Sequence, residues 1–283
     1  MKVSARALAG GASPLLLAAA LLAAACAVTP EPPVLSSLSA RPEALLERLA
    51  AGEAAVTTLR ALATVRYEGA AGSGSASQVV VLALPDRARL EVLSPVGTAV
   101  LLLVIRGEDL ALHAPLRREY GVGRATRETL GRLTRIPVPA GPWLRLLVGL
   151  PPLPVQPADP RVQVIQEERA IRVESVDGPF WQRLWTGPDG ASLAGGELGE
   201  AGGLLLRFQF GDRRLHDGTP FPYLVAVEGA EAGTRVTIRY ETVRLNGPVE
   251  AELFELAPPA DPGTQILDLS RGPVAGESHR WTS

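Results

Sequence analysis

Residues 93–105 have the sequence LSPVGTAVLLLVI, in which a short turn runs directly into a strand. Pro followed closely by Gly is typical of a tight turn, because proline fixes its own φ and glycine accepts a left-handed backbone. Residues 98–105 are apolar on both faces, whereas a half-exposed strand alternates apolar and polar side chains. We therefore expect this strand to have protein on both sides, or to line an apolar lumen on one side.

Much of the remaining chain consists of short segments with a period of two. Apolar side chains in these segments alternate with Arg, Glu, Gln or Thr, which is typical of half-buried strands. Gly, Pro, Asp-Gly or Asn-Gly separates them, and they do not alternate with long helices as in a βαβ fold. The sequence therefore predicts a mainly β fold, an antiparallel sheet that curls on itself. The alternating segments are Ala63-Val65-Tyr67, Leu90-Val92, Ile171-Val173, Leu204-Leu206-Phe208-Phe210 and Val236-Ile238-Tyr240.

Two regions have helical spacing instead. Residues 43–59 place leucines and valine near a helical period, which predicts an N-terminal helix lying on the sheet. Between residues 126 and 150, Thr126 is a candidate N-cap, and Leu130 and Leu133 share one face before Pro137 ends the helix. A second short helix contains WLRLLV at 143–148 and is apolar nearly all round. Such a helix must be buried or must plug an apolar opening.

The composition excludes several classes of function. Of the 283 residues, 46% are hydrophobic and 20% charged, so the chain has enough apolar side chains for a folded core. The 28 basic and 30 acidic residues give a net charge of -2, so we expect no nucleic-acid partner. Lys2 is the single lysine and Cys26 the single cysteine, which argues against lysine-dependent chemistry, a disulfide framework and a multi-cysteine metal site. We expect no metal and no cofactor.

The N-terminus predicts export and lipidation. Lys2 and Arg6 precede an apolar stretch at 15–25, which is far shorter than the roughly 20 residues that span a bilayer. Small residues lead to Cys26, as in a bacterial lipobox, where the thiol is acylated and the chain is cut before it. An ordinary signal peptide with an incidental cysteine is the alternative. We predict a signal peptide at 1–25, a lipidated tether rich in Pro and Ser at 26–42, and an outer-membrane anchor on Cys26 that faces the periplasm.

Three blocks of the sequence resemble the LolB family, outer-membrane lipoproteins that receive other lipoproteins from the periplasmic carrier LolA. They are LSPVGT at 93–98, LTRIPVP at 133–139 and WLRLLVGLP at 143–151. The resemblance is specific over roughly residues 43–152, and 151–199 has no counterpart that we can place. VRLN at 243–246 and LFELAPP at 253–259 are similar to the closing strands of the wider LolA/LolB superfamily. The resemblance implies a half-open curled β-barrel over residues 43–262, with short helices as a lid over an apolar cavity.

The resemblance also implies a function. A LolB-like protein binds the acyl chains of lipoproteins in its cavity, takes them from a LolA-like carrier and passes them to the outer membrane. In LolB an exposed leucine in a short loop helps delivery, and that position falls on Val96 between Pro95 and Gly97. The alternative is a hairpin turn with Val96 tucked inward. We assign the cavity and lid to Leu101, Leu103, Leu130, Leu133, Trp143, Leu146 and Leu147.

Two other functions stay open at this point. A lipoprotein of the same fold could bind a different envelope lipid, because one fold hosts many functions. An enzyme could be built on the polar cluster at residues 212–217, DRRLHD, although a solvated turn beside Gly218 explains that cluster more simply. From Gly263 onward the sequence predicts a flexible tail, 263–283.

Overall fold

The computed structural model of the protein describes residues 42–70, 72–134, 136–166, 171–187, 192–230 and 233–271. The predicted signal peptide, Cys26 and nearly all of the predicted tether lie outside the described residues, and lipidation stays a prediction. No helix within the described ranges is long and apolar enough to cross a membrane.

The strands alternate with short turns from residue 58 onward. Their bounds are β1 (Thr58–Gly69), β2 (Gly72–Ala83), β3 (Arg87–Leu93), β4 (Ala99–Arg106), β5 (Asp109–Ala114), β6 (Glu119–Arg124), β7 (Gln163–Gln166), β8 (Ile171–Asp177), β9 (Phe180–Thr186), β10 (Leu193–Glu200), β11 (Gly203–His216), β12 (Thr219–Gly229), β13 (Arg235–Leu245) and β14 (Gln265–Asp268).

These fourteen strands of the described residues form one sheet. Its order is β14-β6-β5-β4-β3-β2-β1-β13-β12-β11-β10-β9-β8-β7. Neighbouring strands are antiparallel except β14, which is parallel to β6. The sheet has two wings: the first consists of β1 to β6 with β14, and the second of β7 to β13. The inner faces of both wings pack into one core with the helices, which requires the sheet to curl. The predicted mainly β fold with a curled, open antiparallel sheet is confirmed.

β1 and β13 form the seam between the two wings of the sheet. Arg60 lies opposite Arg244, and the register shifts by a bulge between Leu62 and Ala63. Asn246 fixes the end of the seam, because its side chain accepts a hydrogen bond from the Thr57 N–H at 2.9 Å and donates one to a backbone carbonyl at 2.7 Å. The first and last long strands of the domain are therefore direct neighbours.

Three α-helices in the described ranges lie against this sheet. They are α1 (Pro42–Ala55), α2 (Arg127–Thr134) and α3 (Ala140–Leu147). Thr126 caps α2 as predicted, because its hydroxyl accepts a hydrogen bond from the Thr129 N–H at 3.3 Å. The predicted extension of the first helix to residue 59 was wrong, since β1 begins at Thr58 and the buried Leu59 belongs to that strand.

The outer face of the sheet has a small core of its own. The short 3-10 helix Ala251–Phe254 places Phe254 against Val81 of β2 and Val104 of β4. Leu103 and Ile105 point to the inner face of the same strand, and both pack on the main core. The main core covers one face of the strand at 98–105, and the outer core covers the other. Protein therefore lies on both sides of this strand, as the sequence predicted.

The strands that complete the sheet come from two regions: 151–199, where only Ile171-Val173 had been predicted as a strand, and 263–271, which had been predicted as part of a flexible tail. Within residues 151–199, β7 to β10 extend the second wing. Residues 265–268, expected to belong to a flexible tail, form β14 instead, and the Leu269 N–H donates to the Val122 carbonyl at 2.7 Å. Gly121 of β6 makes room for the Leu269 side chain, because a Cβ there would meet Leu269 Cδ2 at 2.7 Å. Residues 272–283 lie outside the described residues.

Candidate functional site

An apolar cavity of about 270 Å³ lies between the inner face of the first wing and the helices α2 and α3. Ligand pockets usually hold about 300–1,000 Å³, so this cavity is at the lower end of that range. None of its lining residues, all in the described part of the chain, is charged. They are Val65, Tyr67, Gln78, Val80, Leu90, Val92, Leu101, Leu103, Ile105, Leu112, Leu130, Leu133, Thr134, Trp143, Leu144, Leu147, Val236 and Ile238.

The structure brings together most of the side chains that the sequence assigned to the cavity and lid. Those that line the cavity are Leu101, Leu103, Leu130, Leu133, Trp143 and Leu147. Leu146 does not line it; its side chain is completely buried in the main core. The role of all seven in ligand binding stays a prediction.

The seam contributes residues to the cavity that were not predicted from the sequence. The two seam strands both line the cavity, β1 with Val65 and Tyr67 and β13 with Val236 and Ile238. The signal was present, since both segments alternate apolar and polar side chains. Alternation gives two faces but does not tell which strands become neighbours, so the pairing of β1 with β13 was needed to place these four residues.

Helix α3 is fixed over the cavity by its C-terminal end. The Gly149 N–H donates to the Leu146 carbonyl at 3.1 Å and the Leu150 N–H to the Arg145 carbonyl at 3.0 Å, which is a Schellman ending. Gly149 has φ +79°, and a Cβ there would also meet Pro222 Cγ at 2.5 Å. This position therefore requires glycine, both for the backbone angle and for the close approach of β12.

A buried tyrosine of the sheet holds the same end of α3. The Tyr240 hydroxyl donates to the Leu147 carbonyl at 2.6 Å. That carbonyl is among the last four of the helix, which have no partner within the helix itself. Burial raises the pKa of the Tyr240 phenol above its ordinary value, so it stays protonated and remains a donor.

Helix α2 is attached to both wings. The Arg127 guanidinium forms a half-buried ion pair with Glu200 of β10, and Arg132 donates to the Leu269 carbonyl just after β14. Because α2 carries Leu130 and Leu133 on its cavity side, these two polar contacts attach the apolar lid to both wings of the sheet.

Polar groups inside the cavity are few. The Thr134 hydroxyl is already used, since it contacts the Leu130 carbonyl at 2.8 Å and accepts from the Ile136 N–H at 3.2 Å. Tyr67 and Gln78 are half-buried. Trp143 is 8% exposed, and its buried indole Nε1–H has no hydrogen-bond partner among the described residues.

The turn between β3 and β4 has a defined geometry. The Ser94 carbonyl accepts from the Gly97 N–H at 2.9 Å, and the Ser94 N–H donates to the Thr98 carbonyl at 2.8 Å. Gly97 has φ +82°, which favours glycine. Pro95 and Val96 lie at the tip, and the Val96 side chain is 87% exposed. The alternative in which Val96 is tucked inward is therefore wrong.

This turn shares its end of the sheet with other exposed groups. Because β4 and β5 are antiparallel, the turn after β5 lies at the same end, and it exposes 82% of Leu116. Leu215, 76% exposed, lies next to the β11–β12 turn at the opposite end of the strands. On β1, β3 and β13 the cavity residues occupy the half of each strand nearest the Val96 end.

The polar cluster at 212–217 has the geometry of a solvated turn. Arg214 forms two hydrogen bonds with the Asp212 carboxylate, at 2.7 and 3.0 Å, and these hold the pKa of Asp212 below its ordinary value. Asp217 and Gly218 have positive φ angles and form the hairpin turn. Across the described residues, no three His, Cys, Asp or Glu side chains are arranged to hold a metal ion.

A second depression on the sheet has a larger volume than the apolar cavity but is open to solvent. It has a volume of about 440 Å³ and lies over β9 to β12. Glu197 and Arg207 line it and form an ion pair with each other at 2.8 Å. The apolar cavity under the helices is the better candidate for a ligand site, because its walls are uncharged and helices cover it.

Comparison with known proteins supports the architecture. No protein-family model and no curated protein matches the sequence. A LolA superfamily protein from Nitrosomonas europaea superposes with a TM-score of 0.50 at 12% identity, covering 75% of this chain and 98% of the other. The chain therefore shares the fold of this LolA superfamily protein. A putative outer membrane lipoprotein-sorting protein domain from Vibrio parahaemolyticus has the same TM-score at 14% identity, covering 74% of this chain and 95% of its own.

A third solved structure has a similar fold. A DUF1329 family protein from Desulfovibrio piger has a TM-score of 0.50 at 12% identity, covering 80% of this chain and 98% of the other. At such low identity these structures establish the fold and not the ligand. The function must therefore be argued from the cavity and the exposed turns.

Proposed function

We propose that the protein is an outer-membrane lipoprotein that accepts the acyl chains of other lipoproteins in its cavity and passes them to the membrane. One observation carries the proposal: an uncharged cavity lies under two helices, and its residues on β1, β3 and β13 are in the half of each strand nearest the exposed Val96 turn. Acyl chains need a dry, apolar site, and delivery needs a surface that enters lipid. Two solved structures with the same fold, a LolA superfamily protein and a putative outer membrane lipoprotein-sorting protein domain, are in keeping with this function.

The exposed turns support membrane contact at one end of the strands. Val96 and Leu116 are both apolar and mostly exposed there. Arg117 and Arg118 follow Leu116 directly, and basic side chains near an apolar tip favour an anionic lipid surface. The Val96 turn is closed by backbone hydrogen bonds, so little conformational entropy is lost when it enters the membrane.

A lipid anchor on Cys26 and a tether at 26–42 would keep this end near the outer membrane. A buried acyl chain contributes about 0.8 kcal/mol per CH₂, so two or more chains hold a protein firmly. Cargo would then arrive from a soluble periplasmic carrier of the same fold. Transfer requires no covalent step, only a lower free energy of the acyl chain at each successive site.

Adjacent residues of β4 provide a matched test of the cavity. Leu103 lines the cavity, whereas Leu102 points to the other face, and both are half-buried. We expect Leu103→Glu to reduce binding of a fluorescent acyl probe at least tenfold, because an unpaired carboxylate would enter the apolar site. Leu102→Glu should bind within about twofold of the wild type, since its carboxylate stays near solvent.

Both variants need a melting curve and a transfer assay with an acylated protein and liposomes. A folded Leu103→Glu protein with unchanged probe binding and transfer would refute the cavity as the acyl site. Mass spectrometry of the copurified ligand distinguishes the receptor function from the remaining alternative function. An acylated protein supports the receptor function, and a free lipid supports an envelope lipid-binding lipoprotein of the same fold.

A further inference from the structure

The depression over β9 to β12 lies on the face of the second wing that points away from the main core. Its volume is about 440 Å³. Leu184 and Phe208 of these strands are buried in the main core, whereas their neighbours Trp185 and Gln209 line the depression. Successive side chains of a strand point to opposite faces, so the depression and the apolar cavity lie on opposite faces of the sheet.

Small residues leave room in this depression. One row across the strands consists of direct neighbours, one from each of β9 to β12: Trp185, Gly195, Gln209 and Ala226. Position 195 has no space for a side chain, because a Cβ there would meet the Phe208 carbonyl oxygen at 2.4 Å. Gly195 and Ala226 therefore leave room on either side of Gln209, and Trp185 borders this room on β9.

The next row along the same strands is charged, with alternating signs. Its members are Arg183, Glu197, Arg207 and Glu228. The Glu197 carboxylate lies between two arginines, 2.8 Å from Arg207 Nε and 3.9 Å from Arg183 Nη1. A guanidinium has five N–H donors, and the Arg207 side chain is 62% exposed, so donors remain for a ligand. This row therefore presents acceptors and donors in fixed positions, and its charges balance.

These groups suit a neutral sugar. A phosphate or a carboxylate would meet Glu197 and Glu228, and a cation would meet Arg207, so the depression favours neither charge. An acyl chain would take water away from the charged row without replacing its hydrogen bonds. A sugar ring has an apolar C–H face that packs on an indole, and hydroxyl groups that both donate and accept. The Gln209 amide also has both a donor and an acceptor, which matches two neighbouring hydroxyl groups.

We propose that this depression binds a neutral oligosaccharide, with Trp185 against one sugar ring and with Gln209 and Glu197 hydrogen-bonded to its hydroxyl groups. The volume lies within the range of about 300–1,000 Å³ that ligand sites have. From β9 to β12 there are three strand spacings of about 4.8 Å, or about 14 Å, which accommodates a short oligosaccharide. This site is independent of the proposed function, because the apolar cavity lies on the other face of the sheet.

The test uses the full chain with Cys26→Ser and compares neutral with charged probes. The neutral probes are cellotetraose and tetra-N-acetylchitotetraose, the anionic probe is tetragalacturonate, and the cationic probe is deacetylated chitotetraose. In ¹⁵N NMR spectra, we expect millimolar neutral sugar to shift the indole N–H signal of Trp185, which Trp185→Phe assigns, and to leave that of Trp143 in place. Each charged probe should bind about threefold or more weakly than the neutral sugars.

Variants on the same face of the sheet locate the binding site. Trp185→Ala should weaken binding about tenfold or more, because the surface that packs on the sugar ring is lost. Gln209→Ala should weaken it about fivefold, as expected for one hydrogen bond. Gln163→Ala is the matched control and should bind within about twofold of the wild type, since Gln163 is exposed on β7 and does not line the depression. Ala226→Leu keeps every polar group but fills the room, so it should abolish binding even if Trp185→Ala does not fold.

Each outcome decides for or against the site. Failure of both neutral sugars to bind the folded protein overturns it, whatever the apolar cavity binds. Tighter binding of a charged probe contradicts the neutral ligand class, and unchanged affinity in folded Ala226→Leu contradicts the location.

Cosedimentation identifies the source of a sugar that binds. Retention by purified cell-wall polymer, competed by the free tetrasaccharide, supports the site with a glycan strand as ligand. Retention by vesicles that contain a glycosyl diacylglycerol supports it with a glycolipid headgroup, and binding of the free sugars alone supports it with a soluble oligosaccharide.

Discussion

Val96 provides the sharpest test of membrane delivery. Its side chain is 87% exposed, so Val96→Glu removes almost no packing and should change the free energy of unfolding by less than about 0.5 kcal/mol. Complete burial of an aliphatic side chain is worth about 1.5–3 kcal/mol, with valine at the lower end. Scaled by its exposed fraction, Val96 contributes roughly 1.3 kcal/mol to insertion, which is close to tenfold in the transfer equilibrium.

The assay measures two steps separately on each variant. Cargo acceptance from a carrier should be unchanged in Val96→Glu, whereas delivery to liposomes should fall about tenfold or more, because a carboxylate replaces the apolar tip. Val96→Leu adds one CH₂, worth about 0.8 kcal/mol, and should improve delivery up to fourfold.

Leu215→Glu is the matched control for this experiment. Leu215 is 76% exposed at the opposite end of the strands, so the same change there should leave delivery at the wild-type level. Equal losses from Val96→Glu and Leu215→Glu would show a general effect of added charge. Normal delivery by a stably folded Val96→Glu protein would refute the role of the turn.

Three further predictions concern anchoring and stability. Cys26→Ala should leave an unprocessed or mislocalised precursor, and the intact mass of the membrane-extracted wild type should contain acyl groups; a mass without them contradicts lipidation. Tyr240→Phe leaves the Leu147 carbonyl buried without its donor and should lower the free energy of unfolding in urea by about 1–3 kcal/mol. Phe254→Ala should cost about 3–5 kcal/mol in the same measurement because it empties the outer core, yet leave acyl-probe affinity within twofold, since Phe254 does not line the cavity.

Local patterns in the sequence were sufficient to predict several elements of the first wing, although not β2, β5 or β6. The turn at Pro95 and Gly97, the two-faced strand after it and the capped helix after Thr126 depend on neighbours within a few residues. Residues 98–105 even indicated their two environments, because apolar side chains on both faces of a strand require cover on both faces. These features are local, so the sequence contains them directly.

Long-range pairing was beyond the sequence patterns. The seam places Val65 beside Ile238, and no periodicity connects two segments so far apart in the chain. β14 was missed for a similar reason, since a short strand that follows Pro and Gly has no alternation long enough to detect. Gly121 makes room for the Leu269 side chain that follows β14. The reason for glycine at this position is visible only when the structure places Leu269 against it.

The seam between β1 and β13 also determines when the cavity can exist. Apart from the pairing of β14 with β6, each wing consists of hairpins between consecutive strands, whereas Arg60 meets Arg244 only after nearly the whole domain has been made. Contacts so distant in the chain close a very long loop and form slowly. Because β1 and β13 both line the cavity, a chain that has not yet formed this pairing lacks part of the cavity wall. Under the proposed function, loading with cargo therefore follows the closing of the seam between β1 and β13.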